Sequence, residues 1–118
     1  MSVRAHWVFH NVATEAGNGD EYKIANVGSN TILVLALQTI PTVESTPVTY
    51  TIHFEAKGLI GDYVSIPVWD ETKMDLVLSA TETSGKLFTI DLTGKSSFRV
   101  NLVSIDGGSL SVQGKVIE

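Results

Sequence analysis

Three histidines are the first side chains to consider for chemistry. His6 and His10 are four residues apart, a spacing that would place them on one face of a helix but separates them by about 13 Å on a strand. One metal ion cannot bridge that distance. His53 alternates with apolar residues, as an exposed strand residue does. We therefore expect no metal site.

Acidic residues cluster in two short stretches, GNGDE at 17–21 and WDETKMD at 69–75. Neither stretch has the regular spacing of oxygen ligands that a calcium loop needs, so both are typical of solvated turns. The sequence also contains no G-x-S-x-G elbow, P-loop or paired-carboxylate motif. We expect no catalytic residue, no cofactor and no enzymatic activity.

Two aromatic residues with acidic neighbours form the candidate surface-binding site. Tyr63 and Trp69, beside the turn residues Asp62 and Asp70, have the composition of a platform on which a carbohydrate stacks. The alternative is that Trp69 closes one end of the core, as large aromatic residues do in small domains. Both interpretations remain open at this point.

The elements that must position these residues are β-strands. Apolar and polar residues alternate in VTYTIHFE (48–55), LFTIDLTG (87–94) and SLSVQGKVI (109–117), which predicts strands with one exposed face. TILVLAL (31–37) is apolar on both faces, which favours a central strand covered on both sides. Pro67 favours an edge strand or a bulge, because proline cannot donate to a ladder.

Together these patterns predict an all-β protein with eight or nine strands. Turn residues separate the short strands, and no long amphipathic helix is indicated, so we expect one antiparallel β-sandwich of jelly-roll type spanning residues 1–118. Residues 1–12 would supply the first strand and a flexible N-terminal arm. The arm and the connection at 41–47 are the segments expected to reach a neighbouring subunit.

The stretch at 97–117 predicts a closing hairpin. Arg99 alternates with core residues, so it is expected to point outward and to pair with Asp91 of the preceding strand. The irregular alternation after Leu102 indicates either a bulge near Ser104 or a strand covered on both faces. Glycines are expected at turns and close approaches of the backbone: Gly94, Gly107, Gly108 and Gly114.

Composition excludes some partners. The 118 residues carry a net charge of −5, and the eight Lys and Arg residues are scattered singly, so nucleic-acid binding is not expected. The longest apolar run is about half of what a membrane-spanning helix needs. The N-terminal residues lack the uninterrupted apolar core of a signal peptide, so we expect a soluble chain that no leader directs to export.

The order of motifs resembles a known group of proteins. GNGDEYKIANVGSNTILVLALQ, VTYTIHFEAKG, YVSIPVWD and LFTIDLTGKSSFRVNLVSIDGGSLSVQGKV follow one another as in the small β-sandwich structural domains of tailed-bacteriophage virions. The resemblance spans roughly residues 13–117. The matching residues are Gly17, Asn18, Gly19, Phe54, Glu55, Pro67, Phe88, Ile90, Asp91, Leu92, Gly94, Phe98, Arg99, Gly108, Ser109, Leu110, Val112 and Gly114.

This resemblance implies a protein that acts by binding. One expectation is a capsid decoration or cement subunit, located in the virion, that binds between subunits of the major capsid protein or other virion proteins and forms a homo-oligomer, with a trimer favoured. The other is a tail or baseplate adhesion module that binds carbohydrate of the host surface. Exposure of Tyr63 and Trp69 beside a groove would favour the second.

Overall fold

The structure is a computed structural model that describes residues 3–24, 34–44, 48–58 and 60–117. All regular secondary structure in these residues is β-strand, and no helix there is long and apolar enough to cross a membrane. The described residues form eleven strands, more than the eight or nine expected. They are β1 (Val3–Ala13), β2 (Tyr22–Lys23), β3 (Val34–Val43), β4 (Thr49–Lys57), β5 (Val64–Ser65), β6 (Val68–Asp70), β7 (Asp75–Val77), β8 (Ser79–Glu82), β9 (Leu87–Asp91), β10 (Ser97–Asp106) and β11 (Gly108–Ile117).

The strands form two antiparallel sheets, which confirms the all-β prediction. Sheet A has the strand order β1-β11-β3-β9-β6-β7, and sheet B has the order β2-β10-β4-β5, with β8 also pairing with β4. Most consecutive strands therefore cross from one sheet to the other. Each crossing carries the chain over the core, so the two sheets share one apolar interior.

Aromatic side chains from both sheets meet in this interior. The ring of Phe54 in sheet B lies 4.8 Å from the ring of Phe88 in sheet A, and the ring of Phe98 lies 5.5 Å from that of Phe9. All four residues are at most 1% exposed. Edge-on and tilted contacts of this kind add about 0.5–1.5 kcal/mol each beyond the burial of their surface.

Strand β3 differs from its prediction in one respect. It is central in sheet A, but its burial alternates: Leu35, Leu37 and Thr39 are buried while Ala36 and Gln38 are exposed. The strand is therefore covered on one face only. Residues 31–33 of the predicted segment lie outside the described residues.

The predicted closing hairpin is wrong. Strand β10 pairs with β2 and β4 in sheet B, whereas β11 pairs with β1 and β3 in sheet A. The turn between them thus connects the two sheets. Gly107 supplies its positive φ of +85°. Gly108 is needed for a close backbone approach, because a Cβ there would clash with the carbonyl oxygen of Thr42.

The other turn and approach glycines occupy two kinds of position. Gly94 has a φ of +79° in the turn after β9. Gly114 faces inward, where a Cβ would lie 2.8 Å from Leu35 Cδ1 and 3.3 Å from Phe9 Cε2. The first position needs glycine for its backbone conformation, and the second needs it for space.

Two further expectations about segments can be compared with the strands. The described part of the N-terminal segment is not a free arm, because β1 pairs with β11 from Val3 onward. Residues 41–43 of the predicted connection belong to β3, and 45–47 lie outside the described residues. Pro67 lies where the chain crosses from β5 in sheet B to β6 in sheet A.

The irregularity in β10 is a bulge. Leu102 pairs with Ile52 and Ser104 pairs with Thr51, so Val103 is an extra residue without a partner in β4. Val103 and Ser104 are both exposed, and the inward alternation resumes afterwards. Of the two explanations left open by the sequence, the bulge is the one observed.

Candidate functional site

The outer face of sheet A carries a continuous row of side chains across all six strands. Cross-strand pairing aligns one residue from each strand, in the order His6, Lys115, Ala36, Thr89, Trp69 and Leu76. These residues alternate with the buried ones along their strands, so their side chains lie on the face away from the core. A groove lies on the surface that this row of side chains crosses.

A groove with a volume of about 480 Å³ crosses strands β1, β11, β3 and β9 on this face. Ala36 lies near its middle, and its short side chain leaves a depression between longer neighbours. Leu87, which is 53% exposed, adds an apolar wall. The polar side chains that line the groove are those of His6, Gln38, Glu71, Thr89, Gln113 and Lys115.

Two hydrogen bonds hold polar side chains of the groove in place. His6 Nε2 lies 2.9 Å from Gln113 Oε1, and Thr89 Oγ1 donates to Glu71 Oε1 at 2.6 Å. These contacts leave the second oxygen of Glu71 and the amide nitrogen of Gln113 available to a ligand. Within the described part of the chain, the side chains of Gln38 and Lys115 have no hydrogen-bond or ion-pair partner.

Tyr63, the first residue of the predicted aromatic platform, lies against sheet B. The guanidinium carbon of Arg99 lies 3.9 Å from the centroid of its ring, and the Tyr63 hydroxyl donates to Glu21 at 2.5 Å. Burial, followed by this hydrogen bond, raises the pKa of Tyr63. The same hydrogen bond is the largest cause of the lowered pKa of the Glu21 carboxyl. Tyr63 is thus one part of a packed surface cluster.

The structure does not bring the four predicted platform residues together. Trp69 is half-buried on the outer face of sheet A, opposite Thr89 and Leu76, whereas Tyr63 packs against sheet B. Asp62 is exposed in the loop before β5. Tyr63 and Trp69 lie apart because β5 and β6, although adjacent in sequence, belong to different sheets.

Asp70 has a structural position in place of the expected exposed one. Its side chain is fully buried, and its Oδ1 accepts hydrogen bonds from the backbone N–H groups of Thr72 and Lys73 at 2.9 and 3.0 Å. An aspartate that accepts such bonds stabilises a tight turn. Asp70 therefore fixes the turn between β6 and β7.

Arg99 also has a different partner from the one predicted. It points outward from sheet B as expected, but its Nε donates to Glu55 Oε1 at 2.7 Å, across the ladder from it in β4. Asp91 lies in sheet A and accepts a hydrogen bond from the backbone N–H of Thr93, which is the largest cause of its lowered pKa. Sequence proximity was misleading because β9 and β10 lie in different sheets.

His6 and His10, although only four residues apart in the sequence, lie in different surroundings. His6 lines the groove, while a shift in the β1 register between Val8 and His10 turns His10 into the interior. There His10 Nε2 donates to the carbonyl of Val100 at 2.7 Å. Among the described residues, no group of three or more His, Asp or Glu side chains is arranged to hold a metal ion.

Four exposed apolar residues lie along one edge of the sandwich, and we call them the edge patch: Val64, Met74, Leu76 and Leu78. Each is more than half exposed. They share an edge because β7 is the outermost strand of sheet A and β5 and β8 form the matching edge of sheet B, with the chain crossing between the sheets on this side.

Sequence reasoning missed both surfaces. The groove takes its polar residues from alternate positions of strands that are distant in the chain, so the sequence contains no local motif for it. The available signal was the small Ala36 beside the polar Gln38 in an otherwise apolar segment. The edge patch has no distinctive sequence signal, because alternating apolar residues such as Leu76 and Leu78 are equally typical of buried strand positions.

Comparison with known proteins gives two structural relatives. The crystal structure of the SPBc2 prophage-derived protein YomS superposes with a TM-score of 0.75, at 22% identity, covering 97% of this chain and 92% of YomS. The crystal structure of the PBSX exported protein XepA gives a TM-score of 0.79, also at 22% identity, covering 96% of this chain and 37% of XepA. The chain thus corresponds to little more than a third of XepA.

The family of the chain is assigned by a match to a family model. A search of curated protein sequences found no match to the chain. The model described as XepA matches residues 4–116, nearly the whole chain. The chain therefore belongs to the XepA family, a phage-derived protein family.

Proposed function

We propose that this protein is a structural component of a phage particle and acts by binding, as a decoration subunit that joins neighbouring capsid subunits. Membership of a phage-derived family supports the phage context. The name of one relative, the PBSX exported protein XepA, supports a location outside the cell at some stage. The two-sheet fold fits such a role, and we include in the proposal that it is a jelly roll, since most successive strands alternate between the sheets.

The edge patch is the observation that carries a binding role. Exposed apolar side chains at a sheet edge promote association, and soluble proteins usually cover or interrupt them. Val64, Leu76 and Leu78 expose apolar surface beside the short edge strand β7. In an assembled particle, a neighbouring subunit would bury this surface, and repetition over the shell would convert modest contacts into strong attachment.

A non-enzymatic role is part of the proposal. Each described group with a shifted pKa has a structural partner: Tyr63 holds Glu21, Thr93 holds Asp91, and Tyr50 is buried beside Thr39. Perturbed groups that converge in a cleft would point to catalysis, and these four groups, of which Tyr63 and Glu21 form one pair, lie at three separate places in the molecule. We propose a homo-oligomer as the functional unit, with a trimer as the first arrangement to test.

A substitution in the edge patch tests this proposal. Particles are prepared from a strain whose own copy of the gene is deleted and which expresses either the natural chain or Leu78→Asp. We expect Leu78→Asp to lower incorporation at least about tenfold, because a buried charge in an apolar contact is costly. Incorporation is measured by mass spectrometry relative to the major capsid protein.

The matched control is Val103→Asp, which places the same charge on an exposed apolar residue in the bulge of sheet B, away from the edge patch. This variant should enter particles at the natural level. Equal incorporation of Leu78→Asp and the natural chain would show that the edge patch is not the binding surface.

A further inference from the structure

The groove on sheet A is long enough to hold an extended ligand, and a small side chain forms its floor. It crosses four neighbouring strands, which are spaced about 4.8 Å apart, so the strand axes span roughly 15 Å. Ala36 forms a low floor, and Leu87 forms one wall. Trp69, the cross-strand partner of Thr89, continues the same face beyond β9 with a half-buried indole. Apolar C–H surface of a ligand would pack against these groups.

Two polar side chains of the groove, those of Glu71 and Gln113, end in planar groups that are held in position. Glu71 is fixed through one oxygen by Thr89, and Gln113 is fixed through its oxygen by His6. Carboxylate and amide groups each present two hydrogen-bonding atoms in a plane, which suits pairs of adjacent hydroxyl groups. Groups held in place before binding lose less conformational entropy when the ligand arrives.

The charges of the groove favour an uncharged ligand. The carboxylate of Glu71 and the ammonium group of Lys115 both line it, so the site carries one formal charge of each sign. A polyanion such as a nucleic-acid backbone would meet Glu71 and the net charge of −5 of the whole chain. A hydroxyl-rich neutral molecule can hydrogen-bond to both groups without leaving a charge unpaired.

We infer that this groove binds a neutral oligosaccharide. The ring faces would lie on Ala36, Leu87 and Trp69, and the hydroxyl groups would bond to Gln38, Glu71 and Gln113. This site differs from the aromatic platform expected from the sequence, with which it shares only Trp69. The inference is independent of incorporation into a particle, because the groove and the edge patch use different residues.

Nuclear magnetic resonance of the ¹⁵N-labelled full chain tests this inference. The probes are the linear tetrasaccharides of β-1,4-linked glucose, α-1,4-linked glucose and β-1,4-linked N-acetylglucosamine, each added to millimolar concentration. We expect at least one of them to shift the amide signals of Ala36, Gln38 and Gln113 and the indole signal of Trp69. Signals of sheet B residues should stay in place.

Variants separate specific binding from non-specific contact. Glu71→Gln and Gln38→Ala, both at exposed positions, should each raise the dissociation constant about tenfold. Each variant removes or alters a group that hydrogen-bonds to the hydroxyl groups of the ligand. The control Asn101→Ala removes a similar amide from the outer face of sheet B and should leave binding unchanged. The well-dispersed spectrum of each variant reports that it is folded.

Two results would overturn the inference. One is that none of the tetrasaccharides shifts the groove signals at millimolar concentration. The other is that binding occurs but is insensitive to Glu71→Gln and Gln38→Ala. Neither result bears on the edge patch, whose test is incorporation into particles.

Discussion

At the scale of single residues, Arg99 shows what local pattern can and cannot predict. Alternation with buried neighbours correctly placed it on an outward face. Its partner was predicted incorrectly, because the choice between Glu55 and Asp91 depends on which strands share a sheet. That information lies in long-range pairing, 44 residues away along the chain, and not in the flanking residues.

The Arg99–Glu55 pair should contribute measurably to stability. The two side chains are 24% and 16% exposed, and Arg99 also stacks on Tyr63, so solvent screens the pair only in part. We expect a double-mutant cycle with Arg99→Met and Glu55→Gln to give a coupling free energy of about 0.5–1 kcal/mol in urea unfolding. A cycle with Asp91→Asn in place of the Glu55 variant should give none. Coupling to Asp91 would contradict the observed strand pairing.

Removal of the Tyr63 hydroxyl should raise the pKa of Glu21. Hydrogen bonding to the charged form of a carboxyl lowers its pKa, and the Tyr63 bond is the largest cause of the lowering at Glu21. Tyr63→Phe should therefore move this pKa upward, toward that of a free glutamate. Titration of the side-chain carboxyl carbon by nuclear magnetic resonance measures the change. An unchanged value would show that the bond does not persist in solution.

Gly114 should be intolerant of even one added carbon. A Cβ would lie 2.8 Å from Leu35 and 3.2 Å from the carbonyl of Ala36, inside a packed core. We expect Gly114→Ala to lower the free energy of unfolding by about 1–3 kcal/mol in urea titrations, the usual cost of overpacking. The control Gly17→Ala, where nothing lies within 4 Å of the new carbon, should change it by less than about 0.5 kcal/mol.

At the scale of elements, alternation predicted the strands well and their sheet membership poorly. The segments of β4, β9 and β11 are strands as expected, because one buried and one exposed face leave a period of two in the sequence. The closing hairpin was wrong because an Asp-Gly-Gly turn can also connect opposite sheets. Burial of β3 was overestimated because Ala36 is small and apolar yet exposed.

The bulge in β10 allows a sharp test of strand register. Deletion of Val103 joins Leu102 directly to Ser104. These two residues already pair with consecutive residues of β4, so every other side chain keeps its face. This variant should fold and unfold cooperatively on heating. Deletion of His53, a paired residue of β4, reverses the faces on one side of that strand, where no extra residue absorbs the shift, so it should abolish cooperative unfolding. Equal behaviour of the two variants would contradict the register.

At the scale of the whole molecule, the sequence predicted the phage context and the all-β class but neither the groove nor the edge patch. Recurring turn and strand motifs carry family resemblance, because they determine the fold that a family shares. The groove and the edge patch are assembled from side chains of different strands. Their composition became visible only when the pairing of six strands in sheet A was known.

The abundance of the chain in purified phage particles tests the central claim most directly. Particles are purified by density gradient from an induced strain that carries the gene, and quantitative mass spectrometry gives the ratio of this chain to the major capsid protein. A capsid decoration subunit predicts a ratio of the same order as that of the capsid protein itself. A ratio corresponding to a few copies would contradict the decoration role in favour of the tail, and complete absence from the particles would contradict a structural role in the virion.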